Sequence, residues 1–384
     1  MEFSGVFVKG RQCHAPASAA DWNSNAAWMF TIFGARMTYP KRLPSLDGLR
    51  GVAALIVMLY HFNLVYLPQA QLYNVFPLLR RAYLAVDLFF LLSGFVMAHV
   101  YGGAFASNWR AHWRHFAIAR FARIYPLFAL TTLAMVIIFA FSRVPLDSIS
   151  FSAPALALQP LLLQHWHSSL SWDYPSWSIS TEAEAYVFFV FCAGALFIGK
   201  YPRLMAACCV AILAAMSSTK GGSLDFNHGF AALVRTLAEF SLGALLYRIP
   251  FGNSRPRNWA AILSVLLMGL AIATYWDLLV VGGFASLIYY GVNADDAFGR
   301  FLNSRALVAL GNWSYSIYLW HAPVHYAAMS SLGRTGYAVD QLSMSNARLL
   351  LLVTAAVVVG LSAISHRYFE TPARRGLMRL APAR

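Results

Sequence analysis

Apolar residues run along this chain in long blocks separated by short polar segments, and the blocks are too long to be strands. Runs near 48–66, 82–101, 124–142, 179–198, 203–218, 229–249, 258–275, 277–292, 306–328 and 346–368 are each long enough for a helix to cross a bilayer core. The seventh and eighth nearly touch, so their boundary is insecure. The pattern predicts an all-α integral membrane protein, a polytopic bundle of about ten transmembrane helices in a lipid bilayer. No internal repeat is visible, which weighs against a transporter built from inverted halves.

Composition agrees with this solvent: 59% of the 384 residues are hydrophobic and 11% charged. The formal charge of +14 contains no contiguous basic tract, so nucleic acid is not an expected partner. Basic residues instead sort by side. From residue 41 onward, with the amino terminus placed inside, 18 Lys and Arg outside the spans fall on the inner side and 6 on the outer. That asymmetry predicts a multi-pass protein of a bacterial inner membrane with both termini cytoplasmic. The four cysteines, Cys13, Cys192, Cys208 and Cys209, have no metal-ligand spacing. They read as small core residues, and no metal is expected. Residues 1–36 lack the order of a signal peptide, and Met37 opens "MTYPKRLPSLDGLRG", which reads as a natural start. The division expected is an extension over 1–40, disordered or a start-site artefact, a transmembrane domain over 41–375 and a cytoplasmic tail over 376–384.

Orientation gives depth to each polar residue inside a span. Arg50 and His61, near the two ends of "LRGVAALIVMLYHF", are eleven residues apart, about three helical turns, so both project from one face about 16 Å apart. His61 lies near the outer boundary, and Asp87 of the returning second span is at matching depth. A carboxylate beside an imidazole fixes its tautomer, as a general base requires; the bland alternative is a pair that only ties two helices together. Glu182 enters the same outer level in "WSISTEAEAY", with Trp177, Ser178 and Ser180 above it. Arg235 and Glu239, four apart on one face, read as an internal ion pair. "GNWSYSIYLWHAPVHY" adds Ser314, Tyr315, Tyr318 and His321, with Trp320 and Tyr326 read as interfacial belt residues. On the inner side, Arg110 and Arg114 fit the positive-inside rule, whereas Arg120 and Arg123 lie three apart at a helix start and suit phosphate recognition.

Together "RLPSLDGLRGVAALIVMLYHF", "VDLFFLLSGF", "RFARIYP", "WSISTEAEAY", "SYSIYLWHAPV" and "HRYFETPARR" resemble, in kind and order, the acyltransferase-3 family of membrane O-acyltransferases, from about Arg42 to Arg375. The resemblance implies transfer of an acyl group, commonly acetyl, from cytoplasmic acyl-CoA to a hydroxyl on an extracytoplasmic glycan or a small molecule. It implies His61 as the catalytic histidine, paired with Arg50, and Arg120 and Arg123 as donor-binding residues; Asp87 and Glu182, at the level of His61, are the further catalytic candidates, and Arg50 joins the arginines on the donor. Trp177, Ser178, Ser180, Ser314, Tyr315 and His321 are then acceptor or oxyanion candidates. Acyl-CoA enters as a substrate, and no permanently bound cofactor is expected. Direct attack by the acceptor and a covalent acyl-His61 intermediate both stay open.

Two features depart from the family pattern. Ala185 stands where many relatives carry an aromatic before the tyrosine of the fourth-span motif. No hydrophilic esterase-like domain follows "RRGLMRLAPAR", so transfer is expected to finish on this bundle or on a separate periplasmic acyltransferase partner. A proton-coupled transporter would also carry buried His, Asp, Glu and Arg, and would show substrate flux without CoA. A non-catalytic component of a polysaccharide export complex would be expected to have lost the motif residues that this chain retains.

Overall fold

The structure is a computed structural model that describes residues 43–63, 67–141, 152–167, 172–249, 258–292, 296–334 and 341–382. The amino-terminal extension and Cys13 lie outside the described residues. Among these residues the regular structure is helical throughout, with no strand. The principal helices are α1 (Pro44–His61), α2 (Ala85–Phe141), α3 (Trp177–Ile198), α4 (Pro202–Thr219), α5 (Gly229–Leu246), α6 (Asn258–Thr274), α7 (Asp277–Gly291), α8 (Ala297–Leu302), α9 (Arg305–Arg334), α10 (Met344–Ser365) and α11 (Thr371–Met378). Five stretches are long and apolar enough to cross a membrane: Pro77–Phe141, Tyr174–Phe197, Pro202–Thr219, Gly229–Leu246 and Met344–Met378. The helices α6 and α7 are apolar but shorter. Large apolar side chains such as Phe191 and Val265 stand exposed on the outside of the bundle, as a lipid-facing surface requires. The chain is thus an all-α membrane protein.

Helix α2 is two arms. Asn108 leaves helical geometry (φ −159°, ψ 86°), and its Oδ1 accepts from the Ala111 N–H at 3.3 Å, capping the second arm. The chain reverses there. Arg120 reaches the Tyr101 hydroxyl at 3.3 Å, whereas nineteen residues of unbroken helix would separate them by about 28 Å.

Glycines let the helices meet at backbone distance. A Cβ on Gly94 would overlap the Phe240 carbonyl of α5, and one on Gly243 would overlap the Leu91 carbonyl of α2, so the first arm and α5 fit reciprocally. Helices α1 and α9 use the same device. Gly51 lies against the Leu307 carbonyl and the Gly311 N–H, and Gly311 against the Asp47 carbonyl. The two helices run in the same direction, since Ser45 bonds Asn303 at one end (2.9 Å) and Phe62 packs on His325 at the other (5.6 Å). Ten residues beyond Gly51 is His61, and ten beyond Gly311 is His321. The parallel crossing therefore delivers two imidazoles to one level.

The expectation of core cysteines does not hold. Cys208 is exposed and Cys192 and Cys209 half-buried, all three as free thiols, because the apolar runs that carry them present these positions to the outside of the bundle.

Candidate active site

His61 stands at the end of α1, where the helix widens through Phe62 and Asn63, and its Nδ1 lies 3.1 Å from Nε2 of His321. The two rings are nearly parallel (11°) with centroids 5.1 Å apart. Tyr174 packs edge-on against both, at 5.0 Å from His61 and 5.6 Å from His321, and Tyr60 closes the other side of His61 at 5.2 Å. His61 is half-buried and His321 fully buried, so the open approach is from the His61 side. Between two neutral imidazoles only one proton can occupy the shared bond. When His61 Nδ1–H donates to His321, His61 Nε2 keeps its lone pair and is competent as a base; in the opposite tautomer His321 Nε2–H donates and His61 Nε2 carries the proton.

This replaces the partner expected for His61. Asp87 is fully buried, but its carboxylate accepts the Arg235 fork, from Nε at 3.0 Å and Nη2 at 2.5 Å. Arg235 also donates to the Phe226 carbonyl at 3.1 Å and lies under the Trp177 ring, with Glu239 at 3.5 Å. The matching depth expected from helix rise does not by itself make a His61–Asp87 contact. The first arm of α2 turns Asp87 toward Arg235 of α5. The expected Arg235–Glu239 pair is present, as the longer part of this three-residue network.

Glu182 is elsewhere too. It accepts from Ser93 at 2.7 Å and Tyr186 at 2.6 Å, on the wall of a cavity of about 120 Å³. Arg50, Arg120 and Arg123 line the same cavity, so the structure brings together the three arginines singled out in the sequence. The lining also includes Ser93, Ser178, Ser314 and Tyr315 on a wall of α2 apolar side chains. Arg120 stacks on Tyr101 and Tyr186. Arg123 is held by Glu370 at 2.5 Å and lies over the Tyr315 ring. Glu370 in turn accepts from Ser316 at 2.8 Å. The buried Ser314 hydroxyl finds no protein partner, so the cavity offers a polar group without an internal bond.

The other candidates separate. Ser178 joins the cavity wall; its hydroxyl meets the Tyr318 hydroxyl at 2.7 Å. Tyr315 donates to the Ile124 carbonyl at 2.6 Å. Ser180 faces away, bonded to the Leu162 carbonyl and, at 2.7 Å, to His165 Nδ1. Burial pushes the His165 imidazole down to about 4, which keeps it neutral. Trp177 packs on Phe90 and Arg235, not at the histidines. Asp173 is fully buried in the turn before α3; burial pushes its carboxyl up to about 8, partly offset by a hydrogen bond with Thr131. Sequence reasoning assigned no role to Tyr174, His325 or Glu370. The only signal for Glu370 was a lone acid within the basic "HRYFETPARR".

The sequence model of the acyltransferase domain family, acyltransferase-3, matches residues 43–366. The chain belongs to the acyltransferase-3 family. Among curated proteins it is similar to acyltransferase MdmB of Streptomyces mycarofaciens, 31% identical over 376 residues that cover 89% of this chain and 94% of that protein. It is similar also to O-acetyltransferase OatA of Staphylococcus aureus strain NCTC 8325, 24% identical over 88% of this chain and 58% of OatA. The peptidoglycan O-acetyltransferase OatA of Listeria monocytogenes is 24% identical, over 87% of the chain and 56% of that protein. The chain thus spans a little over half the length of its OatA relatives. No solved structure matches the chain significantly. For an acyltransferase-3 chain, the arginine-lined cavity and the histidine pair are the two places where chemistry can be sought.

Proposed function

We propose that this acyltransferase-3 chain moves an acyl group, acetyl in the simplest case, from cytoplasmic acyl-CoA to a hydroxyl on the outer side of a bacterial inner membrane. In this reading ten helices span the bilayer, both termini are cytoplasmic, and the arginine-lined end of the cavity faces inward. The observation that carries it is the placement of Arg50, Arg120 and Arg123 around one cavity whose other end is one helical turn from His321 on α9. Guanidinium forks bind phosphates of the donor, and the narrow cavity takes the pantetheine arm. The names of the OatA relatives support a surface glycan as acceptor.

The step balances without any other reactant. His61 Nε2 takes the acceptor hydroxyl proton as that oxygen bonds to the thioester carbon, the C–S bond breaks, and the imidazolium returns the proton to the thiolate of CoA. His321, accepting from His61 Nδ1–H in the needed tautomer, shares the transient charge. The Ser314 hydroxyl, which lines the cavity without a protein partner, is free to donate to the developing oxyanion.

CoA titration of purified protein tests the donor half of this reading. Charge-assisted contacts to ionised groups contribute about 1.5 to 3 kcal/mol each, so Arg50→Ala and Arg120→Ala should each weaken CoA binding by about tenfold or more. Arg123→Ala should also disturb stability, because it leaves Glu370 buried without its cation. Unchanged CoA affinity in the Arg50 and Arg120 variants would remove the cavity from the donor path.

A further inference from the structure

The donor cavity and the histidine pair are not continuous. Neither His61 nor His321 lines the cavity, and the residue that stands between is Tyr318. Its ring is 5.8 Å from the His321 ring on one side and 6.1 Å from Phe89, a cavity-wall residue, on the other. The hydroxyl is pinned at 2.7 Å from both Ser178 Oγ and the Pro175 carbonyl, and the side chain is buried. Ser178 is itself tied to the Pro175 carbonyl at 3.2 Å. Tyr318 comes from α9 and Ser178 from α3, so this septum joins two helices across the path.

From this geometry we infer that Tyr318 is a gate and the specificity-determining residue of the transfer, resting on the reading of the cavity as the donor site. A donor entering from the arginine end leads with its acyl group, and that group meets the Tyr318 ring before its carbonyl reaches His61. In the pinned state the thioester is shielded from the histidines and from water on their side. Transfer requires the ring to leave Ser178 and Pro175 and turn about its Cα–Cβ bond, a motion of one side chain. The space released is one aromatic ring, which fixes how long an acyl group can be seated for attack. Gates of this kind keep reactive donors from hydrolysis until the acceptor is present.

Two variants divide the roles of ring and hydroxyl. Tyr318→Phe keeps the ring and loses both pins, and Tyr318→Ala removes the wall. The probes are acetyl-, butyryl- and octanoyl-CoA given to purified protein without acceptor, with free thiol as the readout and CoA titration as the control for the donor site. In hydrolysis, water supplies the attacking oxygen, the C–S bond breaks, His61 moves the water proton to the thiolate, and the acid and CoA leave. The wild type should release thiol slowly and prefer the shortest chain. Tyr318→Phe should release it faster with the same chain preference. Tyr318→Ala should release it faster still and shift the octanoyl to acetyl ratio by about tenfold or more, since each methylene in an apolar pocket carries roughly 10- to 200-fold discrimination. Should Tyr318→Ala fail to fold, Ser178→Ala removes one pin from the opposite helix and should reproduce the Phe result. Variants that bind CoA normally yet keep wild-type thiol release and chain preference would overturn the gate. Loss of CoA binding by the wild type would instead overturn the donor-site reading on which it rests.

Discussion

The Asp87–Arg235 pair shows how a residue can look catalytic and act as a strut. Both groups are fully buried and joined by a two-pronged contact, with the Phe226 carbonyl taking a further N–H. Removing Arg235 leaves the Asp87 carboxylate buried without its cation, and removing Asp87 leaves Arg235 only the longer contact with Glu239 at 3.5 Å; breaking a buried pair costs about 3 to 5 kcal/mol. Asp87→Ala and Arg235→Ala should therefore each lower thermal stability sharply in detergent, and the double variant should lose much less than their sum. Additive losses would show that the two residues stabilise the protein independently. Asp173 offers a second, pH-dependent test. Its carboxyl is raised to about 8 by burial, above an unfolded value of about 3.9. The folded state holds the proton more tightly, so the stability contribution is full below about pH 4 and is lost as pH rises toward 8. Asp173→Asn should flatten the thermal stability profile across that window, and an unchanged profile would place Asp173 in a solvated or charge-compensated setting.

At the scale of helices, close crossings position the chemistry. Gly94 and Gly243 interlock the first arm of α2 with α5, while Gly51 and Gly311 set the crossing of α1 with α9. Gly94→Ala would force the Phe240 carbonyl away, and overpacking of this kind costs typically 1 to 3 kcal/mol. The expected outcome is a lower melting temperature, whereas Gly103→Ala, whose Cβ would meet nothing within 4 Å, should be neutral or stabilising by helix propensity. Equal effects at the two glycines would refute close packing at Gly94. These crossings also explain what was legible in the sequence. Apolar run length predicts helices, and the described residues are helical, but Glu182, expected at the level of His61, lies on the cavity wall with Arg50, Arg120 and Arg123. Rotation of one helix against another was not legible, because it depends on which glycines meet. Hence Asp87 was assigned to His61, at the same depth, although α2 turns it to Arg235. Arg50, Arg120 and Arg123, expected to act together, line one cavity. Glu370 and Tyr174 reach the site from segments distant in sequence, and local pattern carries no trace of such contacts.

On the scale of the whole molecule, an arginine-lined cavity and a histidine pair lie in series through a helical bundle, with Tyr318 between them. That order suits transfer through the protein, in which the CoA phosphates never leave the inner face and only the acyl group advances. The matched residues cover nearly all of MdmB but a little over half of OatA. In the proposed function His61 performs transfer and the arginines hold the donor. Its most direct test uses membrane vesicles from cells producing the wild type or His61→Ala, supplied on the cytoplasmic side with acetyl-CoA labelled in the acetyl group. The label is read in alkali-labile esters on the opposite side, and CoA affinity is titrated on the same purified proteins. Labelled ester is expected from the wild type, with a loss of about 10² to 10⁴ in rate for His61→Ala and equal CoA affinity for both. Wild-type ester formation by His61→Ala would contradict the proposed function.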